Sequence, residues 1–277
     1  MTEPTWSDER EIRIPRATPE SVWSAWADPA HVRRWFSDDA RGNLEVGGEL
    51  VHTFEGHGEH RYRILEVAPP HRLVMDGEMD GRAFRQIVEI RSEGGTTVLR
   101  LVHSGFGSAD PDSEIVQGID SGWTMALALI RHYVERYFGR DKESIAVFRP
   151  ARYDYGALLA GRYLDADGLG KWLTDGAGGL DTEGPVHLRL RSGRTLTGAV
   201  LARTDHEVSI AWDEIEGVLE LKAFGVGPDA RVLGVRVVTW GADPGNLGDL
   251  RTEAEEAVDS LIGSLSGSGR AAEAPLP

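Results

Sequence analysis

Asp120-Ser-Gly-Trp-Thr-Met-Ala-Leu-Ala-Leu-Ile-Arg-His-Tyr-Val-Glu-Arg-Tyr-Phe138 carries a helical period. Trp123, Leu127, Ile130, Val134 and Phe138 (or Tyr137) recur at steps of three and four, the spacing of one helix face. Met125, Ala126, Ala128 and Leu129 widen that stripe, and charge enters only at Arg131, Glu135 and Arg136. Asp120 and Ser121 offer N-cap chemistry, and Gly139 can take the left-handed conformation that stops a helix. So apolar a helix must lie against something concave.

Working back toward the N-terminus, amphipathic strands supply that surface. Segments 43–46, 49–54, 60–67, 72–76, 82–91 and 96–103 read as strands, the last two joined by the hairpin signal Ser92-Glu-Gly-Gly95. Before them, 11–14 reads as a short strand ended by Pro15. Thr18-Pro19-Glu20 opens a helix that buries Val22, Trp23, Trp26 and Ala27, and Asp28-Pro29 starts a second helix over 30–36. A strand, two helices, an antiparallel series and a long last helix make an α+β domain whose sheet has one wet face. Alternation assigns the faces. Arg61, Arg63, Arg85, Glu89, Arg91 and Arg100 point out, while Tyr62, Ile64, Phe84, Gln86, Val88, Ile90, Leu99, Leu101 and His103 point in. In 49–54 the inward set is Leu50, His52 and Phe54.

Val22-Trp-Ser-Ala-Trp-Ala-Asp-Pro29, the pair Trp35-Phe36, Leu44-Glu-Val-Gly-Gly48, Gly95-Thr-Thr-Val-Leu-Arg-Leu-Val-His-Ser-Gly-Phe106 and the helix begun by Gly122-Trp123 together resemble one family. It is the activator of heat-shock-protein-90 ATPase homologue-like branch of the START-like (SRPBCC) superfamily, and the likeness runs from about Arg10 to Phe138. The resemblance implies a helix-grip fold: a curved antiparallel sheet wrapped around a long C-terminal helix, with an apolar cavity between them.

After Gly139 the order of elements begins again. A helical face at Leu158, Leu159 and Tyr163 ends in the turn Asp165-Ala-Asp-Gly168, and Lys171-Trp-Leu-Thr-Asp175 echoes Arg34-Trp-Phe-Ser-Asp38. Strand candidates follow at 186–190, 195–202, 207–212, 218–224 and 231–240, then a helix over 250–265 with Ala254, Ala257, Val258, Leu261, Ile262 and Leu265 on its apolar side. Two tandem units are expected: a START-like domain over 1–140, a linker over 141–150, a diverged second domain over 151–266 with a smaller or filled cavity, and a disordered tail over 267–277.

The totals exclude several classes. The chain of 277 residues has a formal charge of −15 and no cysteine, so disulfides and thiolate metal sites are ruled out. That charge argues against nucleic acid and anionic lipid as partners. No apolar run approaches the roughly eighteen residues of a membrane span. The acidic opening residues lack the order of a signal peptide, so a cytoplasmic protein is expected.

Candidate chemistry gathers inside the first unit. Trp35, Phe36, His52, Phe54, Tyr62, Phe84, Gln86, Leu101, His103, Trp123, Leu127 and Ile130 are the expected ligand-binding residues. The polar members satisfy one another, as buried groups do, or they orient the polar end of a mostly apolar ligand. His52-Thr-Phe-Glu-Gly-His57-Gly-Glu-His60, with Glu55 and Glu59, offers metal-ligand types but sits on a hairpin tip, so no metal is expected. No cofactor motif or nucleophile elbow is present. The reading is therefore a carrier or sensor of a small hydrophobic molecule, with no catalytic residue. A protein-interaction module, with a protein partner or a second copy of the chain, and a polyketide cyclase or dehydratase-like enzyme using His52 or His103 as base stand beside it, on the resemblance alone.

Overall fold

The computed structural model describes residues 6–54, 58–79, 81–105, 114–151, 163–164, 168–173, 180, 184–225, 231–241 and 244–267. The chain divides at residues 142 and 143 into two compact units.

The first unit begins with β1 (Trp6–Ile14), five residues longer than the alternation of 11–14 announces. Helix α1 (Pro19–Ala27) starts where the Thr18 hydroxyl accepts from the Ser21 backbone N–H and the Ser21 hydroxyl accepts in turn from that of Thr18, a reciprocal cap. Asp28 then caps α2 (Pro29–Val32) by accepting from the N–H of Ala30. The second helix is thus one turn, not the expected 30–36, and 33–36 continue as a turn. Six strands follow: β2 (Asp39–Gly42), β3 (Glu49–Phe54), β4 (Gly58–Ala68), β5 (Arg72–Met79), β6 (Arg82–Glu93) and β7 (Thr96–Gly105). The expected strand at 43–46 is instead the turn between β2 and β3, and Val46 is exposed at its tip.

These strands form one antiparallel sheet in the order β1-β7-β6-β5-β4-β3-β2. Its inner face is the alternating set read above, with Ile64, Val88, Ile90, Leu99 and Leu101 at 1% exposure or less. Gly77 on β5 lies opposite Phe84 on β6, and a Cβ there would stand 2.4 Å from the Phe84 ring. Glycine at 77 is what lets that ring lie flat over the neighbouring strand.

The outer face is wet and bears a lattice of ion pairs. Glu9, Arg100, Glu89, Arg72 and Glu66 link in series across β1, β7, β6, β5 and β4. Arg91 joins Glu11 and Glu93, Arg61 joins Glu49 and Glu59, and Arg85 clasps Asp76 through two bonds. Each such exposed pair is worth under about 1 kcal/mol.

Helix α3 (Glu114–Arg136) lies on the inner face and starts one and a half turns before the expected cap. Asp120 does not cap it. Its carboxylate takes the guanidinium of Arg10, which also donates to Thr124 and pairs with Asp8, tying the edge strand β1 to the helix. Trp123, Leu127, Ile130, Tyr133 and Tyr137 are buried, whereas Phe138 is 41% exposed, so Tyr137 completes the stripe. Gly139 takes φ 85° and its N–H donates to the Tyr133 hydroxyl, ending the helix as expected.

The second unit opens with β8 (Glu143–Ala151), which corrects the expected linker at 141–150. Burial alternates along it, and it pairs in full with the last strand. A 3-10 turn (Leu169–Trp172) precedes β9 (Gly184–Arg189), β10 (Thr195–Arg203), β11 (Glu207–Trp212), β12 (Gly217–Gly225) and β13 (Arg231–Thr239). The sheet order is β8-β13-β12-β11-β10-β9. Helix α4 (Pro244–Gly267) follows, burying Leu250, Ala254, Val258 and Leu261 against the apolar face. As in the first unit, the first strand pairs with the last and a long helix follows the last strand, so the fold is α+β with two helix-grip-like antiparallel sheets. The expected helix at 155–164 falls, apart from Tyr163 and Leu164, outside the described residues, and so does the tail beyond Gly267. Among the described residues no helix is long and apolar enough to cross a membrane.

Candidate functional site

Polar side chains enter the first core where the alternation of β3, β4, β6 and β7 admits a histidine, a tyrosine or a glutamine into an inward position. His52, Tyr62, Gln86 and His103 are 3–6% exposed. In register, Gln86 lies opposite Met75 on one side and His103 on the other, a row across three strands.

Six rings close a circuit around this interior. Phe36 meets His52 at 5.8 Å between centroids, His52 meets Tyr62 at 4.9 Å, and Tyr62 meets Phe84 at 5.9 Å. Phe84 meets His103 at 4.8 Å, His103 meets Trp123 at 5.7 Å, and Trp123 returns to Phe36 at 6.4 Å. Most of these contacts are edge-on, the arrangement that the ring quadrupole favours. Trp26 stacks on Trp123 at 5.8 Å, and Trp35 stacks on Phe36 while donating its indole N–H to the Ala25 carbonyl at 2.7 Å.

Within the circuit is a cavity of about 10 Å3, room for about one water molecule. Its walls are Trp26, Val32, Trp35, Phe36, His52, Tyr62, Met75, Gln86 and Trp123. Six of these were among the residues expected from sequence; Trp26, Val32 and Met75 were not. The other six expected residues stand behind the wall. Phe54 packs edge-on against Phe36, Phe84 touches Tyr62 and His103, and Leu101, Leu127 and Ile130 are core residues. His103 is withdrawn by a hydrogen bond: the Trp123 indole N–H donates to its Nδ1 at 2.7 Å. That bond leaves the neutral ring's proton on Nε2. Trp26 and Val32 could have been found from the helical spacing that sets them on one side of α1 and α2, Met75 from its place beside Gln86.

The two histidines differ in their partners. Neither ring nitrogen of His52 has a hydrogen-bond partner among the described residues, although the residue is 6% exposed. Burial pushes the His52 pKa down to about 4, helped by the charge of His60. Burial also brings His103 down to about 4, against a smaller upward pull from Asp8. Burial pushes the Tyr62 phenol up. All three are neutral near pH 7, so the site is uncharged yet able to donate and accept. Of the hairpin histidine cluster, Glu55 and His57 lie outside the described residues, His60 packs on Phe54, and Glu59 pairs with Arg41 and Arg61. Among the described residues no group of three metal-ligating side chains is assembled.

The buried Leu127 makes a first prediction. Because the helix face there is packed and the cavity lies elsewhere, Leu127→Trp should overpack the core and lose roughly 1–3 kcal/mol. Urea unfolding checks it; an unchanged midpoint would reveal open space under the helix.

Residues 16–135 match the family model described as Activator of Hsp90 ATPase homolog 1-like protein. No curated protein matches the chain. Among solved structures, CalU16 from Micromonospora echinospora is 24% identical over 48% of this chain and 87% of its own, with a TM-score of 0.39. The Aha1 dimer from Colwellia psychrerythraea is 16% identical over 47% of this chain and 96% of its own, with a TM-score of 0.41. DynU16, a protein of the dynemicin biosynthetic locus, is 19% identical over 95% of this chain and 98% of its own, with a TM-score of 0.42. Over these matched residues, all within its first unit, the chain is similar to the Activator of Hsp90 ATPase homolog 1-like family.

Proposed function

We propose that the first unit binds a small, mostly apolar molecule between its sheet and α3, as a carrier or sensor. The observation that supports this reading is His52: an imidazole with both nitrogens unpartnered, facing an aromatic-walled cavity. Leaving a buried donor and acceptor unsatisfied costs about 1–3 kcal/mol each. A structural core has no use for that cost, whereas a binding site recovers it when a polar ligand group arrives. The occupant needs more room than the present cavity offers. Phe36 is the one member of the ring circuit that is not buried, so it is the wall that swings toward solvent on entry. We read the second unit, from Glu143, as a diverged copy, on its shared strand order. Its inner face of Val208, Ile210, Leu219, Leu221, Val235 and Val237 is apolar, the character of a filled core.

The test is twofold. Native mass spectrometry of the full chain as isolated should show a co-purified mass. Titration with a hydrophobic fluorophore should quench the tryptophan emission saturably at micromolar strength, about −8 kcal/mol. Absence of both the adduct and the saturable quenching would overturn the reading.

A further inference from the structure

On the reading that the first unit binds a small molecule, we propose that its site takes an uncharged molecule, anchored to His52 by a hydroxyl or amide group, and discriminates against carboxylates. Among the described residues that line the cavity there is no lysine or arginine. A carboxylate entering would lose its hydration with no cation to meet it. The polar groups within reach are His52, Tyr62 and Gln86, and each is uncharged in its ordinary buried form. A neutral imidazole presents one N–H donor and one lone pair, and both are unpartnered here. A hydroxyl or an amide can meet whichever nitrogen faces the cavity, accepting from it as an N–H or donating to it as a lone pair; an ester can only accept and a bare hydrocarbon does neither. The cavity of about 10 Å3 beside His52 has room for one hydroxyl oxygen, while the apolar remainder of the molecule takes the place vacated by Phe36. Burial, which keeps His52 neutral down to about pH 4, removes the one way the pocket could supply its own positive charge.

The test compares two probes of one shape, 2-naphthol and 2-naphthoate, by calorimetric titration of the full chain. 2-Naphthol should bind at least about tenfold tighter near pH 7, with an affinity that stays level from about pH 6 to 8. 2-Naphthoate should enter only with a proton, weakening about tenfold for each pH unit above the carboxylate range. His52→Leu should lower the 2-naphthol affinity about tenfold or more while the circular dichroism spectrum is retained. Equal or tighter binding of 2-naphthoate at pH 7, or an unchanged affinity in His52→Leu, overturns the proposal. If neither naphthalene binds but the hydrophobic fluorophore does, the class is wrong and the ligand reading stands. If nothing binds, both fall.

Discussion

Acidification from about pH 7 to about pH 4.5 should cost the first unit roughly 5 kcal/mol. His52 and His103 share one cause: burial disfavours the imidazolium, so the folded values sit at about 4 against 6.5 for the free side chain. The unfolded chain therefore binds protons first as pH falls. Stability is complete above about 6.5 and drains away toward 4, by about 2–3 kcal/mol for each histidine at pH 4.5. His103 adds a geometric reason, because its Nδ1 is already occupied by the Trp123 N–H and protonation there would set two donors against each other. Urea unfolding of the full chain at a series of pH values measures the slope, and the same series on His52→Leu should lose about half of it. A profile flat between pH 6.5 and 4.5 would mean that the histidines are hydrated or paired in solution.

The same substitution at neutral pH should raise stability. Leucine is close to imidazole in size and needs no partners, so His52→Leu relieves a buried donor and a buried acceptor together, for a gain of about 1–3 kcal/mol. For a unit of this length that is a rise of about 3 °C or more in the midpoint of thermal unfolding. Few core substitutions stabilise, which makes the sign itself informative: residues that lower stability in place are those retained for binding. Destabilisation by His52→Leu would show that the imidazole has partners worth more than its desolvation.

Much of this was legible in the sequence because one face of the first sheet is wet. Period-two alternation places Tyr62, Phe84, Gln86 and His103 inside, and their burial follows that assignment. The helix start was misread because Asp120 has the chemistry of a cap, and only the approach of Arg10 from a strand 110 residues away reveals its tertiary use. Strand β8 lies where a linker is expected, and it carries Pro150, which an edge strand tolerates. Cavity size was beyond reach altogether. It depends on how Trp26, Met75 and Phe36 fill the space between sheet and helix, a matter of tenths of an ångström that no periodicity encodes.

The charge lattice on the outer face bears on how the sheet assembles. A slip of two residues between neighbouring strands leaves every apolar side chain on the inner face, so the hydrophobic pattern cannot forbid it. The lattice can. In the native register Glu89 stands opposite both Arg72 and Arg100. Sliding β6 by two residues in one direction would set Arg91 against Arg100 on one flank, and the equivalent slip would set Arg91 against Arg72 on the other. Pairs worth little once formed thus become repulsions across the ladder in the misaligned chain. The arginines and glutamates of the open face thus act as a key against that slip, which a greasy inner surface alone would accept.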